Sequence, residues 1–255
     1  MSDVLTADHG AVRVLTLNRP QARNALSHDL IRALYAALKE ADADEAVLAV
    51  VLTGTDPAFC AGVDLKEAAR DGLKYFEEFR SKSCITAVRE MRTPIVGAIN
   101  GATFTGGLEI ALGCDFLVAS ERAVFADTHA RVGILPGGGM TARLPQVVGL
   151  AMARRMSMTG EVVDAARAER IGLVTEVVAH DRLLERALEL AGAIAEVPGP
   201  TMLGLKEIYT EGAAAVIDPA LAAEARIAYA QHREFGDLGD RFRAVSERNK
   251  SQIRG

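Results

Sequence analysis

The 255 residues are 49 % hydrophobic and carry 29 Lys and Arg against 34 Asp and Glu, a formal net charge of −5. Binding to nucleic acid is driven by clustered cations, so this balance argues against it, and with no Trp and only 5 % aromatics, base-stacking platforms are not indicated either. No uncharged apolar run approaches the ~18 residues of a membrane span, and the acidic start "MSDVLTADHG" does not read as a signal peptide, which leads us to expect a cytoplasmic protein.

In chain order, "AVRVLTL" (Ala11–Leu17) puts Val12 and Val14 on one face and predicts a half-buried strand. Pro20 turns the chain within "NRPQARNAL". Ser27 can then cap a helix whose Leu30, Ile31, Leu34 and Leu38 recur at helical spacing. Ala46–Gly54 is a continuous β-branched run, expected to be a strand buried on both faces. Thr93–Gly101 reads the same way, with Pro94 near its start, where a missing N–H is tolerated. Asp115–Ser120 and Gly172–Val178 are the third and fourth such runs. Asp164 can cap the helix "AARAERI", which Gly172 stops. Asp181 can cap a longer helix carrying Leu183, Leu184, Ala187, Leu188, Ala191 and Ile194. This alternation of strands and helices predicts an α/β fold. Beyond "VPGP" (Val197–Pro200) no strand pattern remains, and Thr201–Tyr209, Pro219–Phe235 and Arg241–Ile253 read as helices. The chain thus divides into a core, residues 1–196, and a helical C-terminal segment, residues 197–255.

Three stretches can carry chemistry. In "AINGATFTGGLEIALGCD" (Ala98–Asp115) a buried strand ends, and Gly106-Gly107 opens a short helix with Glu109 in its first turn. Free N–H groups at a helix start can hold a developing oxyanion, and glycine admits a ligand close to the backbone. The helix dipole favours an ionised carboxylate there. Glu109 is therefore either a general base beside an oxyanion site or an inert capping residue. "LTGTDPAFCAGVDLKE" (Leu52–Glu67) repeats the theme: Gly62 permits a tight bend, and a backbone N–H such as that of Val63 can serve an oxyanion. An ordinary strand-to-helix turn is the other reading. The third stretch, "FADTHARVGILPGGG" (Phe125–Gly139), sets His129 ahead of a glycine-rich loop, as an acid or base, a metal ligand or a structural residue. No second histidine lies at i+3 or i+4 and Asp127 alone supplies too few ligands, so no metal site is expected. Cys60, Cys84 and Cys114 lack CxxC spacing and read as buried, reduced thiols.

These stretches, in this order, with "LNRPQARNALS" upstream and "TGEVVDAARAERIGLVTEVV" downstream, resemble the crotonase (enoyl-CoA hydratase/isomerase) superfamily over nearly the whole chain. The resemblance implies a spiral of ββα units over 1–196, and a trimerisation and active-site cover segment over 197–255. It implies a homotrimer or dimer of trimers, and an acyl-CoA thioester substrate whose coenzyme A is not a separate cofactor. It places the oxyanion hole at the N–H groups of Val63 and Gly106, and puts Arg23, Ala25, Ala61, Asp64 and Lys66 beside the coenzyme A. Arg19 flanks a matching loop as well. For the cations among these, a solvated surface charge is the competing reading. Hydratases of the family carry one glutamate after the glycine pair, matched by Glu109, and a second twenty residues on, where this chain has His129.

An imidazole of ordinary pKa, about 6.5, can donate or accept a proton near neutrality. A Glu109/His129 pair can therefore hydrate a trans-2-enoyl-CoA to a 3-hydroxyacyl-CoA. The alternatives are another reaction of the superfamily (isomerisation, hydrolysis or decarboxylation) or acyl-CoA binding with weak turnover. A serine hydrolase is not expected, because no Ser sits in a strand-to-helix elbow with a matched His and Asp. Tyr75, Phe76 and Phe79 can line an acyl pocket or simply pack helices.

Overall fold

The β-branched runs form the inner strands of a six-stranded sheet in the computed structural model, which describes residues 2–72, 74–77, 83–232, 244, 245, 247 and 248. The sheet order is β1 (Val4–His9), β2 (Val12–Leu17), β3 (Ala49–Gly54), β5 (Ile95–Ile99), β7 (Phe116–Ser120), β10 (Glu176–Val178). β1 pairs antiparallel with β2, and every later pair is parallel. A second sheet runs β4 (Ala58–Cys60), β6 (Ala102–Phe104), β8 (Val124–Ala126), β9 (Val163–Asp164). β4, β6 and β8 are parallel and β9 is antiparallel. The chain visits the large sheet, then the small one, then a helix, three times over: β3–β4–(Leu65–Asp71), β5–β6–(Gly106–Ala111) and β7–β8–(His129–Val132). This is the expected α/β spiral of ββα units.

A parallel sheet needs cover on both faces. Along β3, Val50 and Leu52 enter the larger core, while Ala49 and Val51 face Leu183, Ala187 and Ala191 of the Leu183–Ala195 helix. The Ser27 hydroxyl accepts the Leu30 N–H and caps the His28–Ala43 helix, whose Leu30, Ile31, Leu34 and Leu38 are buried as expected. β2 is not half-buried. Val12 and Val14 lie under the Leu183–Ala195 helix, and Leu15 and Leu17 reach the core on the other side. Gly172–Val178 yields only the short β10, half-buried because it is an edge strand.

Two expectations about the C-terminal half are corrected. Asp181 lies in a 3-10 turn, and Arg182 precedes the Leu183–Ala195 helix without a side-chain cap. Thr201–Tyr209 and Pro219–Phe235 are not separate helices: Gly199–His232 is one helix, about 50 Å long, that runs through Pro219. The alanine-rich sequence on both sides of Pro219 has enough helix propensity to carry the helix across one missing N–H. Phe235 and most of Arg241–Ile253 lie outside the described residues, as does Phe79. No helix among the described residues is long and apolar enough to cross a membrane.

The large-sheet strands end in a polar line that sequence reading missed. Ser120 Oγ lies 2.9 Å from His180 Nδ1, and His180 Nε2 lies 2.9 Å from Asp56 Oδ2. Asn100 Nδ2 donates to the other Asp56 oxygen at 2.9 Å. A Ser–His–Asp set therefore exists, but Ser120 is fully buried and accepts the Arg122 N–H. It ties together the segments following β3, β5, β7 and β10.

The Arg19–Ser27 loop is stitched to the loop after β4. Leu26 N–H donates to Gly62 O (2.8 Å), Asp64 N–H to Leu26 O (3.2 Å) and Ala61 N–H to Arg23 O (3.1 Å). Asn24, fully buried at φ 53°, holds the start of this seam. Its amide accepts the Arg19 N–H (2.7 Å) and donates to Thr55 O (2.9 Å) and Ala58 O (2.7 Å). Asn24→Ala would strand these three groups and place alanine in a left-handed conformation. The expected loss is about 2–4 kcal/mol of unfolding free energy, read by urea titration. A loss under about 0.5 kcal/mol, within the range of a neutral surface change, would mean that the amide does not hold the seam.

Candidate active site

Two loops meet because a glycine lets them. Gly62, after β4, has φ 89°, and a Cβ there would lie 2.0 Å from Thr105 Oγ1 and 2.8 Å from Phe104 O, after β6. A Cβ on Gly106 would lie 3.9 Å from Gly62 Cα, so the starts of the two helices are neighbours. Val63 and Gly106 line one cavity of about 500 Å³. Neither N–H donates to a protein acceptor among the described residues, as expected for Gly106 in the first turn of a helix. The same cavity receives Glu109, His129, Phe76, the Ile134–Gly138 loop and the C-terminal helix through Ala225, Arg226, Ala228 and Tyr229.

Glu109 is buried. Its Oε1 accepts the N–H groups of Gly138 (2.8 Å) and Met140 (3.3 Å), and its Oε2 lies 4.0 Å from His129 Nε2. Gly138 must be glycine for this contact, since a Cβ would come 2.6 Å from Oε2. His129 is buried too. Its Nδ1 lies 2.7 Å from Asp127 Oδ1, which also accepts the His129 backbone N–H at 3.2 Å. Asp127 thus fixes the ring so that Nε2 faces Glu109.

The electrostatics separate the two groups. Burial raises the Glu109 carboxyl to about 7, working against the attraction of the His129 charge. Burial alone would lower the His129 imidazole, but the hydrogen bond to Asp127 and the charges of Glu109 and Asp127 outweigh it, raising it to about 9. Asp127 is held below the usual carboxylate range: burial opposes ionisation, and the bond and charge of His129 prevail. Between about pH 7 and 9 the site holds a carboxylate facing an imidazolium. The imidazole, with an ordinary value near 6.5, is thus held protonated at neutral pH.

The coenzyme A candidates gather on the seam between the two stitched loops, beside the cavity. Arg23 and Lys66 are exposed. The Ala25 carbonyl accepts from Arg19 Nη1 (2.5 Å), and the Ala61 N–H donates to Arg23 O. Asp64 is committed elsewhere: it pairs with Arg19 (3.1 Å) and caps the Leu65–Asp71 helix through the Lys66 and Glu67 N–H groups. Tyr75 is buried against His28 with its hydroxyl donating to Leu26 O, so it packs the fold, while Phe76 lines the cavity. Cys60, Cys84 and Cys114 are buried, and burial pushes the Cys60 thiol up to about 12, leaving it unreactive. Sequence reading considered Asp127 only as a metal ligand and missed its hold on His129. It also missed Glu224, whose carboxylate reaches the glycine loop from the C-terminal helix.

A carboxylate and an imidazolium flank a mostly apolar cavity that also holds two uncommitted N–H groups. Such a set can add or remove protons on carbons next to a carbonyl while holding charge on its oxygen. The sequence model of the family described as "Enoyl-CoA hydratase/isomerase" matches residues 7–236. The chain is 42 % identical over 226 residues to a Rhizobium meliloti (strain 1021) protein named "Probable enoyl-CoA hydratase", covering 88 % of this chain and 87 % of that one. It is 33 % identical over 255 residues to the "Short-chain-enoyl-CoA hydratase" of Clostridium acetobutylicum, covering 98 % and 97 %. The crystal structure of enoyl-CoA hydratase from Mycobacterium tuberculosis H37Rv superposes with a TM-score of 0.82 at 47 % identity, covering 91 % of this chain and 100 % of that one.

Asp127→Asn tests the electrostatic account. Without that charge, burial should pull the His129 pKa from about 9 toward or below 6.5, measured by NMR titration of ¹⁵N-labelled histidine. An unchanged titration would show that Asp127 does not set the imidazole.

Proposed function

The chain belongs to the enoyl-CoA hydratase/isomerase (crotonase) family of acyl-CoA-processing lyases, and from that premise we propose that it hydrates a trans-2-enoyl-CoA to the 3-hydroxyacyl-CoA. The observation that carries this reading is the 4.0 Å approach of Glu109 and His129 inside the cavity that Val63 and Gly106 also line. In the proposed reaction the N–H groups of Val63 and Gly106 hold the thioester oxygen. Ionised Glu109 takes a proton from water as the water oxygen bonds to C3. The C2=C3 pair moves toward the carbonyl, and the two N–H groups stabilise the resulting enolate oxygen. The His129 imidazolium then gives its Nε2 proton to C2 as the enolate collapses. Glu109 returns its proton to Nε2 to reset the pair.

Isomerases of the superfamily take a proton with a carboxylate at the His129 position. An imidazolium held by Asp127 is a donor, which favours hydration over isomerisation. Coenzyme A enters as part of the substrate, with the exposed cations of Arg23 and Lys66 available to its phosphates and the Ala25 and Ala61 backbone beside them. The proposal includes residues 197–255 as a cover and subunit contact in a homotrimer or dimer of trimers. Exposed Ile208, Tyr209 and Val216 on the long helix support such a contact. Buried, unbridged cysteines fit a reducing compartment, the cytoplasm.

The test is loss of enoyl thioester absorbance on short, medium and long 2-enoyl-CoAs. Glu109→Gln and His129→Ala should each lower kcat by about 10²–10⁴-fold with little change in affinity. In the wild type, kcat/KM should rise through about pH 7 as Glu109 ionises and fall through about pH 9 as His129 loses its proton. A fully active His129→Ala would remove His129 from the mechanism, and tight acyl-CoA binding without turnover would sink the hydratase reading.

A further inference from the structure

Four consecutive N–H groups lead into the Met140–Val148 helix, and they alternate between two carboxylates. Gly138 (2.8 Å) and Met140 (3.3 Å) donate to Glu109 Oε1. Gly139 (2.7 Å) donates to Glu224 Oε1, and the Thr141 N–H (2.7 Å) and hydroxyl (2.5 Å) donate to Glu224 Oε2. Glu224 arrives from the Gly199–His232 helix and is only 7 % exposed. The turn it grips is special: Gly139 has φ 108°, and a Cβ there would press on Leu221 of the same long helix at 3.2 Å.

We propose that Glu224 is a positioning residue for Glu109: by taking the intervening N–H groups, it locks the Gly138–Thr141 turn in the form that presents Gly138 and Met140 to the base. This rests on the reading of Glu109 and His129 as the acid/base pair. A buried second carboxylate beside a buried base costs free energy that a merely packing side chain would avoid. Three donors, one of them a hydroxyl, offset that cost. The charged groups acting on Glu109 are His129 and Asp127 from the segment after β8, and Glu224 from the long helix, which also brings Arg226 to the cavity wall. The negative charge of Glu224 favours the protonated forms of both Glu109 and His129. Docking of the long helix thereby orients the base and adds to the charge that favours protonation of the pair. Gln231 Oε1 of the same helix accepts the N–H of Leu135 (3.0 Å), in the loop that leads into the turn, whereas Lys206, eighteen residues before Glu224 and about 27 Å along the helix, pairs with Asp115 (2.7 Å).

The full-length protein is compared with Glu224→Gln, Thr141→Val and Lys206→Ala, using 2-butenoyl-CoA for turnover and ¹⁵N-histidine NMR for the His129 titration. Glu224→Gln should lower kcat about tenfold or more with KM within about threefold. It should also move both limbs of the pH profile, and the His129 titration, to lower pH. Thr141→Val removes one of the three donors and should give a smaller kcat loss, which decides the matter if Glu224→Gln does not fold. Lys206→Ala loosens the helix without touching the turn and should leave the limbs in place. Wild-type kcat and titration in Glu224→Gln would overturn the proposal, as would equal limb shifts in Lys206→Ala. If the wild type hydrates nothing, the hydratase reading fails, and the His129 titration alone then decides the role of Glu224.

Discussion

The site depends on the parallel register of the small sheet. β4, β6 and β8 pair side by side, at the ~4.8 Å spacing of a sheet, and each is followed by a loop and a helix. The loops must therefore emerge as neighbours. Val63 follows β4, Gly106 follows β6, and Asp127 and His129 follow β8. One stacking constraint delivers both N–H groups and the imidazole to the same wall, and Gly62 removes the side chain that would hold the first two loops apart. The large sheet contributes none of these groups. It sets the pitch of the spiral, and its strand ends are tied by the Ser120–His180–Asp56–Asn100 line.

Burial then turns this wall into chemistry. In water Glu109 would be a weak base and His129 a nearly balanced acid and base. Enclosed together, both hold protons more strongly than in an unfolded chain. The sign follows from linkage: the folded state binds more protons, so these groups favour folding in acid. The Glu109 contribution is present below about 4.5 and lost as pH rises through about 7. That of His129 is present below 6.5 and lost through about 9. Between about pH 7 and 9, where a carboxylate and an imidazolium coexist, the Glu109 contribution is gone while that of His129 is only partly lost.

How much of this was legible in sequence follows from how local each signal is. Glycine pairs at helix starts and β-branched runs are local, so the inner strands and the turns and helix starts that carry Val63, Gly106 and Glu109 could be read directly. His129 stood out by its place before the glycine loop, but the role of Asp127 needed the ring geometry, since a residue two positions away reads equally as solvent-facing. What local sequence could not show is that Asp64 binds Arg19 and caps the helix that follows it. Pro219 suggested a break that its helix-forming neighbours override. Glu224 carries no local mark at all. Its partners lie 83 and 85 residues earlier in the chain, and only the docking of the long helix brings them together.

The presence of histidine at position 129 is best understood with Asp127. The buried region holds three carboxylates, Glu109, Asp127 and Glu224, close enough that each appears among the charges acting on His129. A glutamate at 129 would make a fourth. A second carboxylate as close to Asp127 as the imidazole is, 2.7 Å, would have to share a proton with it, since like charges that close cannot both ionise. An imidazolium instead bonds to Asp127, faces Glu109 and reduces the enclosed negative charge. His129 and Asp127 are thus one device in two residues: the aspartate makes the imidazole a donor, and the imidazole makes the aspartate tolerable. In the proposed hydration, the histidine keeps the second acid/base position that the resemblance gives to a glutamate and holds its proton through Asp127 rather than by sharing it between carboxylates.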